Sequence, residues 1–211
     1  MNILLGCDSL YYNRWAKNCI KSIQHHTPWI NISIIIVNPQ DIEQISNVNY
    51  IYDHVDFKVE SSKIAYYQAV RFLKCADIFS NGELVMSIDC DTLLTKGFIK
   101  EKFYSICKEI HIQRHQKDIR WMAGLVTYGE NNNFRQELKK QLLSLPIEQW
   151  SYGRDQDVLE ELSTKFNFKK LYVGDWMSFG RGSGIFLTLK GDQKISPGYI
   201  ENYKSILIDT E

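Results

Sequence analysis

No sign of charge prevails in this chain. Its 211 residues carry 25 Lys and Arg against 25 Asp and Glu, a formal net charge of zero, so no global field draws it to nucleic acid or other polyanions. Cysteine is scarce and odd in number: Cys7, Cys19, Cys75, Cys90 and Cys107 stand far apart, with no C-x-x-C pair. That argues against a disulfide framework and against the usual zinc or dithiol spacings, and fits reduced thiols in a cytoplasm. Long hydrophobic runs are missing too. No window reaches the roughly 18 apolar residues of a membrane span, so the chain reads as cytoplasmic, with any membrane attachment peripheral at the inner face. The opening MNILLGC looks like the end of a lipoprotein leader, but it lacks a basic segment. It has only three strongly apolar residues in a row, where a leader needs roughly seven to fifteen. It reads as a first strand. With no internal repeat, linker or low-complexity tract, one α/β domain over residues 1–211 is the simplest organisation.

What is present alternates between two periods. After NILLG, a helical stretch spans residues 12–26, and the β-branched run ISIIIV follows as a strand of the fully buried kind. From Lys63 to Phe79, the residues Ala65, Ala69, Phe72, Ala76 and Phe79 recur at steps of three and four, one apolar stripe on a helix. Asn81-Gly82 signals a turn, and ELVMSIDCD reads as the next strand. Further strands are expected at WMAGLVTYG and GIFLTL, and helices over 133–144 and 154–166. Strands alternating with helices predict an α/β sheet, whose ligands gather at the carboxyl ends of its strands.

The third of those strands carries Asp89 and Asp91 at its end, one residue apart. Burying even one unpaired carboxylate costs several kcal/mol, roughly, so a cation is expected to meet them. On a strand the two would project to one side, while Cys90 points away into packing. Two hard oxygen ligands on one face suit Mg²⁺ or Mn²⁺, which keep positions open for water and phosphate. The alternative is a turn whose Asp side chains bond local backbone amides. Arg71 lies one helical turn beyond Tyr67 and is a candidate partner for Asp89 or for the charged groups of a donor, or else half of a surface ion pair. A second acidic cluster, Asp155, Gln156 and Asp157, opens a helix in YGRDQDVLEEL, where it either aims oxygens at a ligand or simply caps the helix. His111 and His115, four apart, have the spacing of helical zinc ligands but no further ligand set, and read as an exposed helix face. GRGSG at 180–184 lacks dinucleotide-binding spacing and reads as a mobile loop near the substrate.

The order YYQAVRFLKCADIFSNGELVMSIDCDTLL resembles the core of a GT-A glycosyltransferase, most similar to glycosyltransferase family 8, and the likeness runs in order along most of the chain. It implies a Rossmann-like, mixed but mostly parallel sheet flanked by helices in a single domain. It also implies a metal-dependent enzyme using Mn²⁺ or Mg²⁺ at Asp89 and Asp91. The donor would be a nucleotide diphosphate sugar, a UDP-sugar by this likeness, and the acceptor a carbohydrate or other hydroxyl. The first strand's end, Cys7 and Asp8 to Tyr11, stands where the family holds the nucleotide base, with Asp8 bonding it and Tyr11 stacking on it; the alternative is an N-cap aspartate followed by interior tyrosines. Tyr67 and Arg71 belong to the helix that precedes the acidic pair. Met122-Ala123-Gly124 matches the family's N-A-G segment, with Met in place of Asn, and its small residues let the sugar approach the backbone. Asp155, Gln156 and Asp157 match the motif beside the transferred carbon. The family's H-x-x-G-x-x-K survives as Thr188 to Lys194, so the metal-ligating His is replaced by Thr while Lys194 stays as the diphosphate cation. Retained anomeric configuration follows from the same likeness.

Two other classes stay open at the level of sequence. A phosphatase of the haloacid dehalogenase type also ends a strand in D-x-D, but wants Thr or Val where Leu93 stands. A non-catalytic nucleotide-sugar binder is suggested by Thr188, by Met122 and by a chain shorter than typical family members. So short a chain leaves little beyond the core to build an acceptor site, which points to a partner or a second copy in a homo-oligomer.

Overall fold

The computed structural model describes residues 1–114, 121–172, 176–179 and 184–188. Its frame is a seven-stranded sheet in the order β3-β2-β1-β4-β7-β6-β8. The strands are β1 (Asn2–Asp8), β2 (Asn31–Val37), β3 (Val48–Asp53), β4 (Val85–Ile88), β6 (His111–Arg114), β7 (Trp121–Thr127) and β8 (Lys169–Tyr172). Only β7 runs against the others, pairing antiparallel with both β4 and β6. The sheet is therefore mixed and mostly parallel, as expected.

Period two decides which side chains go to which face. In β2, Ile34 and Ile36 join one core cluster while Ile35 and Val37 join the other, and all four are fully buried. A strand covered on both faces needs no polar alternation, which is why ISIIIV is continuous grease. One face packs against α2 (Lys17–His26), through Cys19, Ile20 and Ile23. The other is covered by α3 (Glu60–Ile78), α5 (Asn133–Leu142) and α6 (Arg154–Leu162). The α3 stripe of Ala65, Ala69, Phe72 and Ala76 is buried as its spacing requires. Small residues bring this helix close to the sheet, and Gly6 completes the approach: a Cβ there would lie 2.8 Å from Val70 Cγ1 and 3.2 Å from Arg71 Cβ.

The first helical stretch begins earlier than expected. Asp8 accepts the Tyr11 backbone N–H at 2.7 Å and caps α1 (Ser9–Tyr11), which runs through a π-helical turn, Tyr12–Ala16, into α2. The second helix likewise starts at Glu60, and the third and fourth stop at Leu142 and Leu162. Helix α4 (Lys100–Cys107) carries no strong pattern in sequence.

Two expectations need correction. The strand expected to reach Asp91 stops at Ile88, and residues 89–91 form a turn closed by Thr92 N–H donating to the Asp89 carbonyl at 3.1 Å. The chain then enters a separate three-stranded sheet, β5-β10-β9, made of β5 (Thr92–Leu94), β9 (Met177–Phe179) and β10 (Phe186–Thr188), so the closing strand lies there and not in the large sheet. His111 is on no helix: it opens β6, half-buried, with Nδ1 2.9 Å from the Ile106 carbonyl, and β6 is held between β7 and β8. His115, residues 180–183 of the glycine-rich segment, and Lys194 lie outside the described residues. Among the described residues no helix is long and apolar enough to cross a membrane.

Candidate active site

The chain builds outward from β1 to β2 and β3 on one side and to β4 on the other, so connections diverge at the carboxyl ends of β1 and β4 and leave a crevice there. A cavity of about 640 Å³ occupies that place. Eleven of the residues expected from sequence line it: Cys7, Asp8, Tyr11, Tyr67, Arg71, Asp89, Asp91, Ala123, Gly124, Asp155 and Gln156. Asp157, one step further along α6, is half-buried and does not line it.

Arg71 is the hinge of the arrangement. Its guanidinium is buried, 3% exposed, and one nitrogen donates both to Asp89 Oδ1 at 2.6 Å and to the Ala123 carbonyl at 2.9 Å. Burial works against its charge, but the carboxylates of Asp89 and Asp155 outweigh that and raise its pKa. The ion pair is therefore internal, unlike a surface pair of small worth. Asp89 itself is fixed through its backbone, whose N–H donates to the Gly124 carbonyl at 3.0 Å, the last rung between β4 and β7.

Asp91 is held from two sides. The Tyr11 hydroxyl donates to Oδ2 at 2.7 Å, and the Thr188 hydroxyl donates to Oδ1 at 3.3 Å. Burial, then the charges of Asp91 and Asp89, push the Tyr11 phenol far above its ordinary pKa, so it acts as a donor only. The acidic pair thus faces Arg71, Tyr11 and Thr188 across the turn. Thr188 stands beside Asp91, where the resemblance put the family's histidine.

The other walls follow. Tyr67 has its pKa pushed up to about 12 by burial and by the charges of Asp8 and Glu60. Cys7 is buried beside Cys90, and burial together with that neighbour raises its thiol pKa, which leaves it neutral. Gly153, with φ at 84°, turns the chain into α6, and Arg154 pins that entry by donating to the Gln141 carbonyl at 2.8 Å. Asp155 then enters the cavity wall, 5% exposed, with Oδ1 accepting the Gln156 N–H at 2.9 Å. Burial raises its pKa from 3.8 to about 6, partly countered by Arg71 and reinforced by Asp89.

Hard oxygens from Asp89 and Asp91 on one cavity wall fit a divalent ion that keeps water and phosphate oxygens in its shell. Among the described residues no group of three or more His, Cys, Asp or Glu side chains is placed to hold a metal. Among the described residues, the protein's share of such a shell falls to these two side chains.

Sequence reading missed Gln113, Gln68, Met177 and Tyr152, all of which line the cavity. Nothing in HIQR or SYGR marks these residues. Gln113 and Met177 reach the site by strand pairing and Tyr152 by the turn before α6, contacts that no local pattern encodes, whereas Gln68 lies on α3 beside Tyr67.

No protein-family model matches the sequence, and no curated protein does. Solved structures do. The galactosyltransferase LgtC, in complex with donor and acceptor sugar analogs, superposes with a TM-score of 0.66 at 12% identity, over 99% of this chain and 96% of that one. An active-site mutant of LgtC gives 0.65 at 11% identity. The glycosyltransferase GlyE of Streptococcus pneumoniae TIGR4 gives 0.64 at 14% identity, over 99% of this chain and 63% of that one. The chain has a GT-A fold. In a GT-A frame the cavity lies at the strand ends where β1 and β4 part, and the acidic turn between β4 and β5 forms one of its walls.

Proposed function

We propose that this protein is a glycosyltransferase that moves a sugar from a nucleotide diphosphate donor, a UDP-sugar, to an acceptor hydroxyl. Mn²⁺ or Mg²⁺ would sit at Asp89 and Asp91. The observation that carries the reading is convergence: acidic clusters more than sixty residues apart in sequence share one cavity wall, with the buried Arg71 within the field of both. The GT-A fold, shared with an enzyme solved with donor and acceptor sugar analogs, supports the same assignment.

Each residue then has a task. Asp8, Cys7, Tyr11 and Tyr67 flank the nucleotide end, where an aromatic face stacks a base. Arg71 holds Asp89 in register, and Tyr11 holds Asp91. Ala123 and Gly124 let the sugar lie against the backbone of β7. Asp155 and Gln156 face the reacting carbon and stabilise positive charge as its bond to diphosphate breaks. Asp157, acidic in the first turn of α6, belongs to the same cluster. Lys194 is the diphosphate cation. When bound, a divalent ion neutralises charge on the leaving diphosphate. Retained configuration, and an acceptor site completed by a second copy of the chain, belong to the same reading.

The Thr hydroxyl beside Asp91, where imidazole would bind metal more strongly, favours one second reading: a nucleotide-sugar binder without turnover. A screen of UDP-sugars for UDP release in Mn²⁺ separates the two. The transferase reading expects metal-dependent release from at least one donor, and its loss in Asp89→Ala. Binding without release favours the binder, and phosphate release from a simple phosphoester favours a phosphatase.

A further inference from the structure

One side chain of the cavity is left in an energetically exposed position. Gln113 is 1% accessible, and among the described residues neither its Nε2 nor its Oε1 has a hydrogen-bond partner. A buried amide left unpaired costs roughly 1–3 kcal/mol for each orphaned group, so a native site that keeps one is normally completed by something bound. Here the cavity is where that partner must come from, since Gln113 lines it.

The backbone shows how the side chain is aimed. Gln113 lies opposite Met122 in the β6–β7 pair, and the register shifts between Ile112 and Gln113. A break in register of this kind re-aims the side chains that follow it. The Gln113 amide ends over Gly124. A Cβ at Gly124 would lie 2.8 Å from Gln113 Oε1, 3.2 Å from Asp89 Oδ2 and 3.6 Å from Met177 Sδ. Glycine at that position therefore leaves room for the amide next to the acidic turn, and Ala123, Met122 and Met177 supply an apolar wall.

We propose that Gln113 reads the hydroxyl groups of an uncharged hexosyl donor and holds that sugar over Gly124. This rests on the transferase reading above and narrows its donor class. A primary amide offers donors and an acceptor together, which matches neighbouring sugar hydroxyls, each able to give and take a hydrogen bond. Among the described residues an acidic sugar meets three carboxylates, Asp89, Asp91 and Asp155, and the one guanidinium lining the cavity, that of Arg71, already donates to Asp89 and to the Ala123 carbonyl. The residue is a specificity determinant for the donor.

The test compares UDP with UDP-glucose, UDP-galactose and UDP-glucuronate in Mn²⁺, using calorimetry and UDP release. The proteins are wild type, Gln113→Met, which keeps length without hydrogen bonds, and Gln113→Glu, which keeps shape without the amide donor. Both variants are expected to bind UDP within twofold of wild type while kcat/KM for the preferred UDP-hexose falls at least tenfold. Parallel loss of UDP and UDP-hexose binding in both variants would make Gln113 a packing residue and overturn the proposal, as would no loss in either. Turnover of UDP-glucuronate by wild type as fast as the best hexose donor would overturn the uncharged class. A wild type that binds no UDP at all would sink the transferase reading instead.

Discussion

At the level of single residues, Arg71 sets the position of the acidic turn. It is a buried cation joined to a carboxylate that keeps some access to water, with the Asp89 side chain 40% exposed. Arg71→Met leaves Asp89 and the Ala123 carbonyl without their donor. The expected destabilisation is about 2 kcal/mol, below the full cost of breaking a deeply buried pair because Asp89 can rehydrate. Denaturant unfolding checks this, and UDP release from the active donor should fall at least a hundredfold. Loss of stability in the double variant Arg71→Met with Asp89→Asn should be smaller than the sum of the two single losses, since they share one interaction. Several site residues were legible in sequence at this scale, because two acids in an apolar run need a reason to be there. Gln113 was not, since only a register shift and a partner strand give it direction.

Among the elements, the packing of α3 on β1 sets the position of Arg71. The close approach depends on the absence of a side chain at Gly6. Gly6→Ala places a methyl 2.8 Å from Val70 Cγ1, so the helix must shift outward at a cost of about 1–3 kcal/mol. The expected signature is a lower unfolding midpoint, together with weaker donor use as the guanidinium leaves Asp89. Unchanged donor use would mean that α3 does not position the site. Helices α3, α5 and α6 could be read from periodicity to within a few residues, and β1 and β2 from their continuous burial. The acidic segment could not be placed correctly that way. VMSI and TLL look like one apolar run, yet they belong to different sheets, and the turn between them is fixed by the Gly124 carbonyl, far away in sequence. His111 followed the same rule in reverse: a spacing of four suggested a helix, but pairing with β7 and β8 made a strand.

For the whole molecule, the site places a stress on stability that pH can reveal. The folded Asp155 has its pKa raised from 3.8 to about 6 by burial. Between those values the folded state holds a proton that the unfolded state has released, so stability falls as pH rises from about 4 to 6 and levels off above. The drop attributable to this group is about 3 kcal/mol in full. Asp155→Asn removes the titration and should flatten that part of the metal-free stability profile. A wild-type profile as flat as the variant's would show that Asp155 is solvated in the folded protein. A functional site that strains its own fold in this way is a common cost of holding charge ready for a ligand.

The central claim is that the acids at 89 and 91 join a divalent ion to the phosphates of an activated sugar. Calorimetric titration of UDP into wild type and Asp89→Ala, with Mn²⁺ and with chelator, tests it most directly. UDP binding is expected only in wild type with Mn²⁺; binding of equal strength in chelator, or in the Asp89→Ala protein, would contradict it.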